Sequence, residues 1–386
     1  MKILYIANAR IPTEKAHGYQ IAKMCEAFAL GGVDVTLIVP ERHNNITDDL
    51  FTFYGVQKLF QIKYIKSFDF FQLEKYIGRF AFYLQSILFI FKLFFLNVDK
   101  NTIIYTRNPE LVWLFCLRGF SVGYECHDWF AKNKTIALYF LNKAKYIFTT
   151  NQFIANEFIN NGFAKPKIFV APNGVSLEVF DSNLTKQQAV SKLNLPVELK
   201  SQMLVSKVLV YTGSFLTMGV SKGIDEILSA LTQIKTENVI FIAYGGSTED
   251  IVFYENKAKS MGITNAYFFP RQSQAKLALI QKSADILLMP FPKKAHYEYH
   301  MAPLKMFEYQ VSKRPIIASD LPSIKQILNE NNCLFCKSDN PTDLASKIDY
   351  LLANHSIGEK LAQQAYNDVK QYSWQNRAKR IIDVIK

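Results

Sequence analysis

Short apolar runs alternate with helix-forming stretches along the whole chain, and this alternation limits the folds that the chain can adopt. In the first half the runs predict strands at residues 3–7, 33–39, 102–106, 122–126, 146–150 and 167–171. In the second half they predict strands at residues 207–211, 239–244, 266–269, 286–289 and 315–319. Strands separated by helices form βαβ units with right-handed crossovers, so each half predicts a mostly parallel sheet.

The segment Pro172-Asn173-Gly174 interrupts this alternation and divides the strands into two series. The chain has 386 residues, a length that suits two domains better than one. We therefore predict an α/β protein of two Rossmann-like domains, residues 1–175 and residues 176–371. Residues 372–386 predict a basic amphipathic helix.

Residues 80–96 are the segment that most resembles a membrane span. As a helix they would extend roughly 25 Å, which is slightly short of the ~30 Å hydrocarbon core of a bilayer. Ala81, Gln85, Leu88 and Lys92 would share one face, and aromatic residues would cover the other. We predict a largely buried helix, with docking at a lipid interface as the first alternative and a membrane span as the second.

The formal net charge is +12, which raises the question of an anionic partner. The basic residues form no dense run and no nucleic-acid-binding motif is recognised, so we predict no nucleic-acid partner. In the first half, basic and aromatic residues interleave: Lys58, Lys63, Lys66, Lys75 and Arg79 with Phe60, Tyr64, Phe68, Phe70 and Phe71. This pattern predicts weak contact with an anionic membrane surface, and a scattered solvated surface is the alternative.

The cysteines and the amino terminus bear on the cellular compartment. Five cysteines without disulfide-framework spacing are typical of reduced thiols in a cytoplasm. The apolar run at residues 3–9 is too short for a signal peptide. Cys333 and Cys336 have the spacing of half a zinc site, but no second pair completes it, so we predict a buried strand-like segment there.

The sequence Pro-Leu-Lys-Met-Phe-Glu, which ends at Glu308, has the features of an anion site. Pro303 suits the first position of a helix, because its missing N–H would have no partner there. The N–H groups of Leu304, Lys305 and Met306 would then be available to an anion at the positive end of the helix. Glu308 lies one turn further along, where it could reach the ribose of a nucleotide. The segment therefore predicts a nucleoside-diphosphate site.

This motif and the following Arg314-Pro-Ile-Ile-Ala-Ser-Asp resemble the donor-site motif of the family-4 retaining glycosyltransferases, which have the GT-B fold. Three other parts resemble the phosphate loop, the hinge and the active-site histidine strand of that family: Tyr211-Thr-Gly-Ser-Phe with Lys222-Gly-Ile-Asp, Pro172-Asn-Gly-Val, and Tyr124-Glu-Cys-His-Asp. The resemblance covers most of the chain. It implies two Rossmann-like domains facing a central cleft, a donor domain at residues 176–371, and a C-terminal helix that packs back on the first domain.

The resemblance also implies roles for individual residues. Glu308 matches a glutamate that binds the donor ribose, Lys222 a lysine that binds the diphosphate, and His127 a histidine placed against the donor sugar. These three are the predicted catalytic residues. The predicted donor-binding residues are Gly18, Gly213, Ser214, Lys222, Gly245, Gly246, Arg271, His300, Pro303, Leu304, Lys305 and Glu308, and the acceptor-side candidates are His17, Arg107 and Asp128.

Two of these positions depart from the family pattern, and several have a structural alternative. His300 stands where the family usually has a first glutamate, and Ser214 where many members have an arginine. A lysine before a helix is commonly a surface residue, a glycine pair is commonly a simple turn, and a histidine at a strand end is commonly structural. Those alternatives apply to Lys222, to Gly245 with Gly246, and to His127.

Two missing motifs narrow the chemistry. No Asp-x-Asp is present, which argues against a metal-bridged diphosphate, and no Gly-x-Gly-x-x-Gly follows the first strand, which argues against a dinucleotide oxidoreductase. We predict a metal-independent, cofactor-free retaining glycosyltransferase that takes a nucleotide sugar and a glycan or lipid-linked acceptor. The predicted location is the cytoplasm or the inner face of the membrane, in polysaccharide or glycolipid assembly. The alternatives are a nucleotide-sugar epimerase and a non-catalytic nucleotide-sugar-binding protein.

Overall fold

A computed structural model of the chain describes residues 1–78, 80–130, 134–217 and 219–386, apart from the side chains of Leu73 and Thr217. The chain forms two compact units. The first unit is Met1–Pro172 with Trp374–Lys386, and the second is Asn173–Ser373. Arg79, one of the basic residues predicted to contact a membrane, lies outside the described residues.

The first unit contains a parallel sheet. Its strands are β1 (Lys2–Ile6), β2 (Asp34–Pro40), β3 (Gln61–Ile65), β4 (Ile103–Thr106), β5 (Val122–Cys126), β6 (Tyr146–Thr149) and β7 (Ile168–Val170). They lie in the order β3-β2-β1-β4-β5-β6-β7. The central strands are buried almost throughout, because helices cover both faces of a parallel sheet.

Helices of the first unit occupy the connections between these strands. They are α1 (Ala16–Leu30), α2 (Leu50–Tyr54), α3 (Glu74–Ile77), α4 (Phe80–Phe94), α5 (Pro109–Leu117), α6 (Lys134–Leu141), α7 (Gln152–Asn160) and the C-terminal helix (Trp374–Ile385). Short 3₁₀ turns lie at Phe70–Leu73 and Lys165–Lys167. The C-terminal helix packs on α1, where the Trp374 and Tyr19 rings are 6.2 Å apart.

The second unit contains a parallel sheet of six strands and a separate hairpin. Its strands are β8 (Lys207–Thr212), β9 (Leu216–Thr217), β10 (Val220–Ser221), β11 (Val239–Gly246), β12 (Ala266–Pro270), β13 (Ile286–Met289), β14 (Ile316–Ser319) and β15 (Leu334–Cys336). The sheet order is β12-β11-β8-β13-β14-β15, and β9 pairs with β10 in antiparallel orientation. One hydrophobic cluster lies on each face of this sheet.

Helices of the second unit again alternate with the strands. They are α8 (Leu177–Phe180), α9 (Lys186–Lys192), α10 (Val197–Val205), α11 (Ile224–Leu231), α12 (Thr248–Ser260), α13 (Gln274–Lys282), α14 (Leu304–Val311), α15 (Pro322–Lys325), α16 (Pro341–Ala353) and α17 (His355–Val369). A π-helical turn lies at His296–His300 and a 3₁₀ turn at Lys370–Tyr372.

The two sheets confirm the predicted α/β fold of two Rossmann-like domains. Every predicted strand is present, and its ends differ from the prediction by at most two residues. Cys336 lies in β15, as expected of the strand-like segment around it. Two features were not predicted: β3, an edge strand with several exposed side chains, and the short hairpin of β9 and β10.

The orientation of α4 contradicts the prediction that this helix is largely buried. Its buried residues are Ala81, Gln85, Phe89 and Leu93. Its apolar residues that are 41% to 72% exposed are Phe80, Phe82, Tyr83, Leu84, Ile87, Phe91 and Phe94. Hydrogen bonds of Gln85 hold this buried face in place. Its side chain accepts a hydrogen bond from the Phe70 N–H (3.0 Å) and donates one to the Ser67 hydroxyl (3.1 Å).

Two further findings concern the predicted membrane contact. Phe60, expected among the basic surface residues, is only 6% exposed and packs against Phe51, because it lies under the short helix α2. Within the described ranges, no helix is both long enough and apolar enough to cross a membrane.

Candidate functional site

The predicted site residues of the second unit follow the carboxyl ends of its parallel strands. Gly213 comes directly after β8, Gly245 and Gly246 end β11, and Arg271 is an exposed residue directly after β12. The loop that follows β13 leads to α14. Because strand ends of a parallel sheet share one edge, these segments meet where ligands bind in folds of this type.

Three glycines allow two backbone segments to touch at this edge. Gly213 and Gly245 have φ angles of +123° and +127°, which favour glycine. A Cβ on Gly245 would lie 2.3 Å from the Gly213 carbonyl oxygen, and one on Gly246 would lie 2.5 Å from the Phe215 ring. Packing of the turn therefore accounts for Gly245 and Gly246, and their contact with a ligand stays a prediction.

Two lysines converge on this turn, and neither forms an ion pair with a carboxylate of the described residues. Lys305 is 7% exposed, its Nζ lies 3.4 Å from the centre of the Tyr211 ring, and a Cβ on Gly213 would lie 3.3 Å from that Nζ. Among the residues that the structure describes, Lys305 Nζ has no hydrogen-bond partner. Lys222 Nζ donates to the Ser214 hydroxyl at 3.2 Å. Ser214 thus supports Lys222 at the position where the family pattern has a second cation.

Protonation of these two lysines is unfavourable in the free protein. Burial, with the nearby Arg271 charge, lowers the pKa of Lys222 to about 8. Burial also lowers the pKa of Lys305 well below its usual value, and the Lys222 charge adds to that effect. A buried cation without a counter-charge is unfavourable, and a bound anion would relieve it. The electrostatics of the turn therefore favour the binding of an anion.

The start of α14 differs from the prediction by one residue. Pro303 is the N-cap with an extended backbone (ψ 136°), not the first helical residue. The Met306 N–H donates to the Pro303 carbonyl at 3.1 Å, so it is not available to an anion as predicted. The N–H groups of Leu304 and Lys305 remain the first two of the helix, which have no acceptor within it. The Asn173 amide donates to the carbonyl before Pro303 at 2.7 Å and ties the hinge segment to this loop.

Glu308 lies one turn into α14 and is 6% exposed. Burial raises its pKa to about 7, against the opposing effects of Gln281 and Lys305. The Gln281 side-chain amide donates to Glu308 Oε2 at 3.3 Å and to the Thr212 hydroxyl at 3.3 Å. Gln281 was not predicted, and its sequence signal is a polar residue among the buried residues of α13. It fixes the carboxyl group in place.

His300 ends the π-helical turn at His296–His300 and is half-buried. Its ring centre is 6.4 Å from that of Tyr299. His300 lies in the loop that leads into α14. The position where the family usually has a glutamate is therefore part of the predicted donor segment.

In the first unit, the buried carboxylate of Glu125 organises the predicted residues. Its Oε1 lies 2.6 Å from His127 Nε2, 2.6 Å from Arg377 Nη2 and 3.4 Å from Arg107 Nη2. Its Oε2 accepts from the Tyr5 hydroxyl at 3.0 Å. Burial favours the neutral acid, but Arg107, then Arg377 and His127, outweigh it and hold the pKa of Glu125 well below its usual value. Glu125 is therefore an anion at neutral pH.

His127, directly after β5, is neutral at the same pH. Burial and the Arg107 charge lower its pKa to about 4, although Glu125 opposes them. Because Nε2 lies against a carboxylate, we assign the ring proton to Nε2 as the donor. Nδ1 is then a hydrogen-bond acceptor, which suits a hydroxyl group of a ligand.

The two arginines come from distant parts of the first unit. Arg107 follows β4, and its guanidinium also donates to Gln20 Oε1 at 3.0 Å. Arg377 belongs to the C-terminal helix and is 2% exposed. Its Nε donates to the carbonyls of Ala171 (3.2 Å) and Pro172 (3.1 Å), where the chain leaves the first unit. The C-terminal helix thus supplies a charge to the histidine strand.

Glu125 and Arg377 were not predicted as site residues, although the sequence pattern places each of them at a buried position. Glu125 lies in β5, whose five residues are all buried, and a carboxylate in such a strand requires a partner. Arg377 lies on the buried stripe of its amphipathic helix, between Trp374 and Ile381. Neither pattern identifies the other residue, since only the fold brings them together.

The remaining candidates of the first unit are His17, Gly18 and Asp128, and their surroundings differ. Burial and the Arg107 charge lower the pKa of His17 to about 4, which places it near the same arginine. A Cβ on Gly18 would lie 2.0 Å from the Tyr54 hydroxyl, and the Gly18 N–H donates to the Lys15 carbonyl at 3.0 Å. Packing therefore accounts for Gly18. Asp128 is exposed, and its Oδ1 accepts from the next backbone N–H at 2.8 Å.

Two family models match the chain. Residues 18–179 match glycosyltransferase family 4, and residues 206–354 match glycosyl transferases group 1. No curated protein sequence matches the chain.

Several solved structures have a similar fold over their whole length. HepE of Anabaena in complex with UDP is 14% identical, with a TM-score of 0.73 and coverage of 100% of this chain and 99% of that one. HepE in complex with UDP-glucose is 14% identical, with a TM-score of 0.71 and the same coverage. Sucrose-phosphate synthase of Thermosynechococcus elongatus is 17% identical, with a TM-score of 0.76 and coverage of 100% and 98%. At these identities the likeness shows the shared fold alone.

Proposed function

Because the chain belongs to the group 1 glycosyltransferases, with a family-4 match in its first half, we propose that it moves a sugar from a nucleotide-diphosphate sugar to a hydroxyl acceptor with retention of anomeric configuration. The proposed donor site is the anion site of the second unit. Cell-surface polysaccharide or glycolipid assembly is the proposed context.

The buried side chain of Lys305 carries this proposal. It lies beside Gly213 and has no hydrogen-bond partner in the part of the chain that the structure describes. Lys222 approaches the same turn through Ser214. A diphosphate supplies the negative charge that neither lysine finds within the protein. Glu308 lies one turn along α14 from Lys305, where it could bind the ribose hydroxyls. Diphosphate and ribose are adjacent groups of a nucleoside diphosphate, so the two parts of the site match one ligand.

The proposed chemistry is positioning and charge stabilisation. As the bond between sugar and diphosphate breaks, negative charge grows on the leaving phosphate, and Lys222, Lys305 and the first N–H groups of α14 are arranged to stabilise it. We propose that these groups do so without a bound metal ion. Transfer should then survive thorough chelation with EDTA, and a loss restored by magnesium or manganese would contradict this part of the proposal.

His127 is proposed to act on the sugar rather than on the phosphates. As a neutral ring with Nδ1 as acceptor, it can accept a hydrogen bond from a sugar hydroxyl and orient the sugar. His127→Ala should therefore reduce turnover far more than it weakens binding of the free nucleoside diphosphate. If turnover per folded enzyme stays near that of the wild type, His127 is structural.

The nucleotide and acceptor can be narrowed by a binding screen. Since the related fold of HepE was solved with UDP and UDP-glucose, uridine nucleotides are the first ligands to test. Binding to the folded state raises the midpoint of thermal unfolding by mass action, so nucleotide sugars can be ranked by that shift. We propose a glycan or a lipid-linked sugar as acceptor, on the cytoplasmic side.

Product analysis with the best-bound donor, labelled in the sugar, tests the function directly. Label recovered on a hydroxyl acceptor with unchanged anomeric configuration supports the proposal. Recovery in an isomer of the donor would indicate an epimerase of this fold. Binding without turnover would indicate a nucleotide-sugar-binding protein, which the Ser214 and His300 departures would then explain.

A further inference from the structure

The outer face of α4 is exposed and apolar. Phe80, Ile87, Phe91 and Phe94, which share one side of the helix, are 72%, 63%, 60% and 54% exposed. Scattered apolar side chains are common on protein surfaces, but a continuous aromatic face along a four-turn helix marks an interaction site.

Contacts on the inner face fix this orientation. Phe89 and Leu93 belong to the hydrophobic cluster under α5 and α7, and both are fully buried. Gln85 is held by the chain segment before α3. Lys92 Nζ donates to the Lys66 carbonyl, and Arg118 Nη1 donates to the Leu93 carbonyl at 2.8 Å. Half a turn of rotation would break these bonds and expose the core, so the aromatic face cannot fold inwards.

The charge around this face indicates what covers it. From Lys75 to Val98 the sequence contains no aspartate or glutamate, and its charged residues are Lys75, Arg79 and Lys92. Lys66 and the 57% exposed Phe68 extend the same character into the chain segment that contacts α4. Aromatic and aliphatic side chains flanked by lysines are the composition of helices that lie in a bilayer interface.

We propose that α4 docks in the interface of an anionic lipid bilayer, with its aromatic face among the acyl chains and Lys66, Lys75 and Lys92 at the headgroups. Lysine stems can extend along the apolar layer while their ammonium groups reach the phosphates. The helix of 15 residues is about 22 Å long, too short for the ~30 Å hydrocarbon core, so it lies in the interface.

A second copy of the chain is the other possible occupant, and charge disfavours it. Pairing two such faces would bring their lysines together, and like charges across an interface are unfavourable. An apolar helix face bordered by lysines fits a membrane.

Vesicle co-sedimentation of the full chain, without donor, tests the proposal independently of its catalytic activity. The wild type should pellet with vesicles of phosphatidylcholine mixed with phosphatidylglycerol and much less with phosphatidylcholine alone. Raising the salt concentration should weaken the difference between the two lipids, because headgroup attraction is screened. The apolar contribution should remain.

Matched variants test whether vesicle binding depends on the outer face of α4 or on any exposed apolar residue. Phe91→Ser combined with Phe94→Ser should weaken vesicle binding by about tenfold or more. The control is Phe253→Ser on α12 of the second unit, an equally exposed phenylalanine (55%), which should bind as the wild type does. Lys66→Glu with Lys75→Glu should remove the preference for anionic lipid, whereas Lys259→Glu on α12 should not.

Three outcomes would overturn the proposal. The wild type could fail to pellet with anionic vesicles, or the Phe91 and Phe94 double variant could pellet as well as the wild type. Analytical ultracentrifugation could also find a wild-type dimer that the same double variant converts to a monomer, which would assign the face to a second copy of the chain.

Discussion

The two units use buried charge in opposite ways. In the first unit, the Glu125 carboxylate lies against the Arg107 and Arg377 guanidinium groups and the neutral His127 ring, so each buried charge has an opposite charge beside it. In the second unit, Lys222 and Lys305 share a glycine turn without a carboxylate at hydrogen-bond distance, among the residues described. A compensated cluster, in which each charge has an opposite charge beside it, holds a side chain in place. Buried lysines without such a partner favour the binding of an anion. The comparison predicts opposite effects when a cation is removed.

Removal of a cation from the first unit should produce the largest effect. Arg377→Met leaves the buried Glu125 anion with one arginine fewer, and breaking a buried ion pair costs about 3–5 kcal/mol of stability. Urea unfolding measures the loss. Lys379→Met, an exposed change on the same helix, is the control and should cost little.

Arg377 also has an effect on His127 that a purely structural role would not produce. Its charge contributes to the low pKa of His127, so Arg377→Met should raise that pKa. An NMR titration of the imidazole protons reports it. An unchanged His127 pKa, or a stability loss no greater than that of Lys379→Met, would contradict the compensated cluster.

In the second unit, Glu308→Ala should abolish donor use while the protein stays folded. Removal of a charge-assisted hydrogen bond to ribose costs roughly 1.5–3 kcal/mol, or about 10- to 100-fold in affinity for the nucleoside diphosphate. Isothermal titration calorimetry measures the affinity. Glu330→Ala, at a carboxylate whose side chain is 77% exposed, is the control. Equal affinities of the two variants would remove Glu308 from the site.

Lys305→Met should stabilise the free protein and weaken diphosphate binding. The methionine fills a similar volume and removes a buried charge that has no hydrogen-bond partner, so the expected gain is about 1 kcal/mol. The sign is opposite to that of Arg377→Met, which is the sharpest form of the comparison. Thermal unfolding with and without nucleotide measures both effects. A destabilised variant would mean that Lys305 is compensated in the free protein after all.

The smallest effect is proton uptake when a nucleoside diphosphate binds. Free Lys222 has a pKa of about 8, and a bound anion raises it, because the anion stabilises the ammonium form. At a pH of about 8.5 most free Lys222 lacks its proton, so binding takes up a proton, whereas Glu308, with a pKa of about 7, is already ionised.

Calorimetry in buffers of different ionisation enthalpy counts these protons. Lys222→Arg should reduce the uptake, since arginine stays charged at this pH. A binding enthalpy independent of the buffer would contradict the lowered lysine pKa values.

Much of the fold and part of the site could be predicted from the sequence, because the signals are local. The strand at Val122–Cys126 is an apolar run that needs no partner to be recognised, and the start of α14 is marked by Pro303 and Lys305. The residues that position Glu308 and Glu125 could not be predicted in the same way. Gln281 and Arg377 contact Glu308 and Glu125 from distant parts of the chain, and neither contact leaves a spacing pattern in the sequence.

The sequence by itself determined the order of strands and helices, and with it the edge of each sheet where the candidate residues lie, because hydrophobic periodicity and backbone geometry act over a few residues. Tertiary structure alone decided which way α4 faces. Both faces of that helix are apolar enough to be buried, so hydropathy could not choose between them. The choice came from one buried glutamine, Gln85, whose hydrogen bonds to the segment at Ser67 and Phe70 exist only when the chain is folded. A buried polar group must be paired, and these two bonds allow the face with Gln85, Phe89 and Leu93 to lie inwards, which leaves the aromatic face outside.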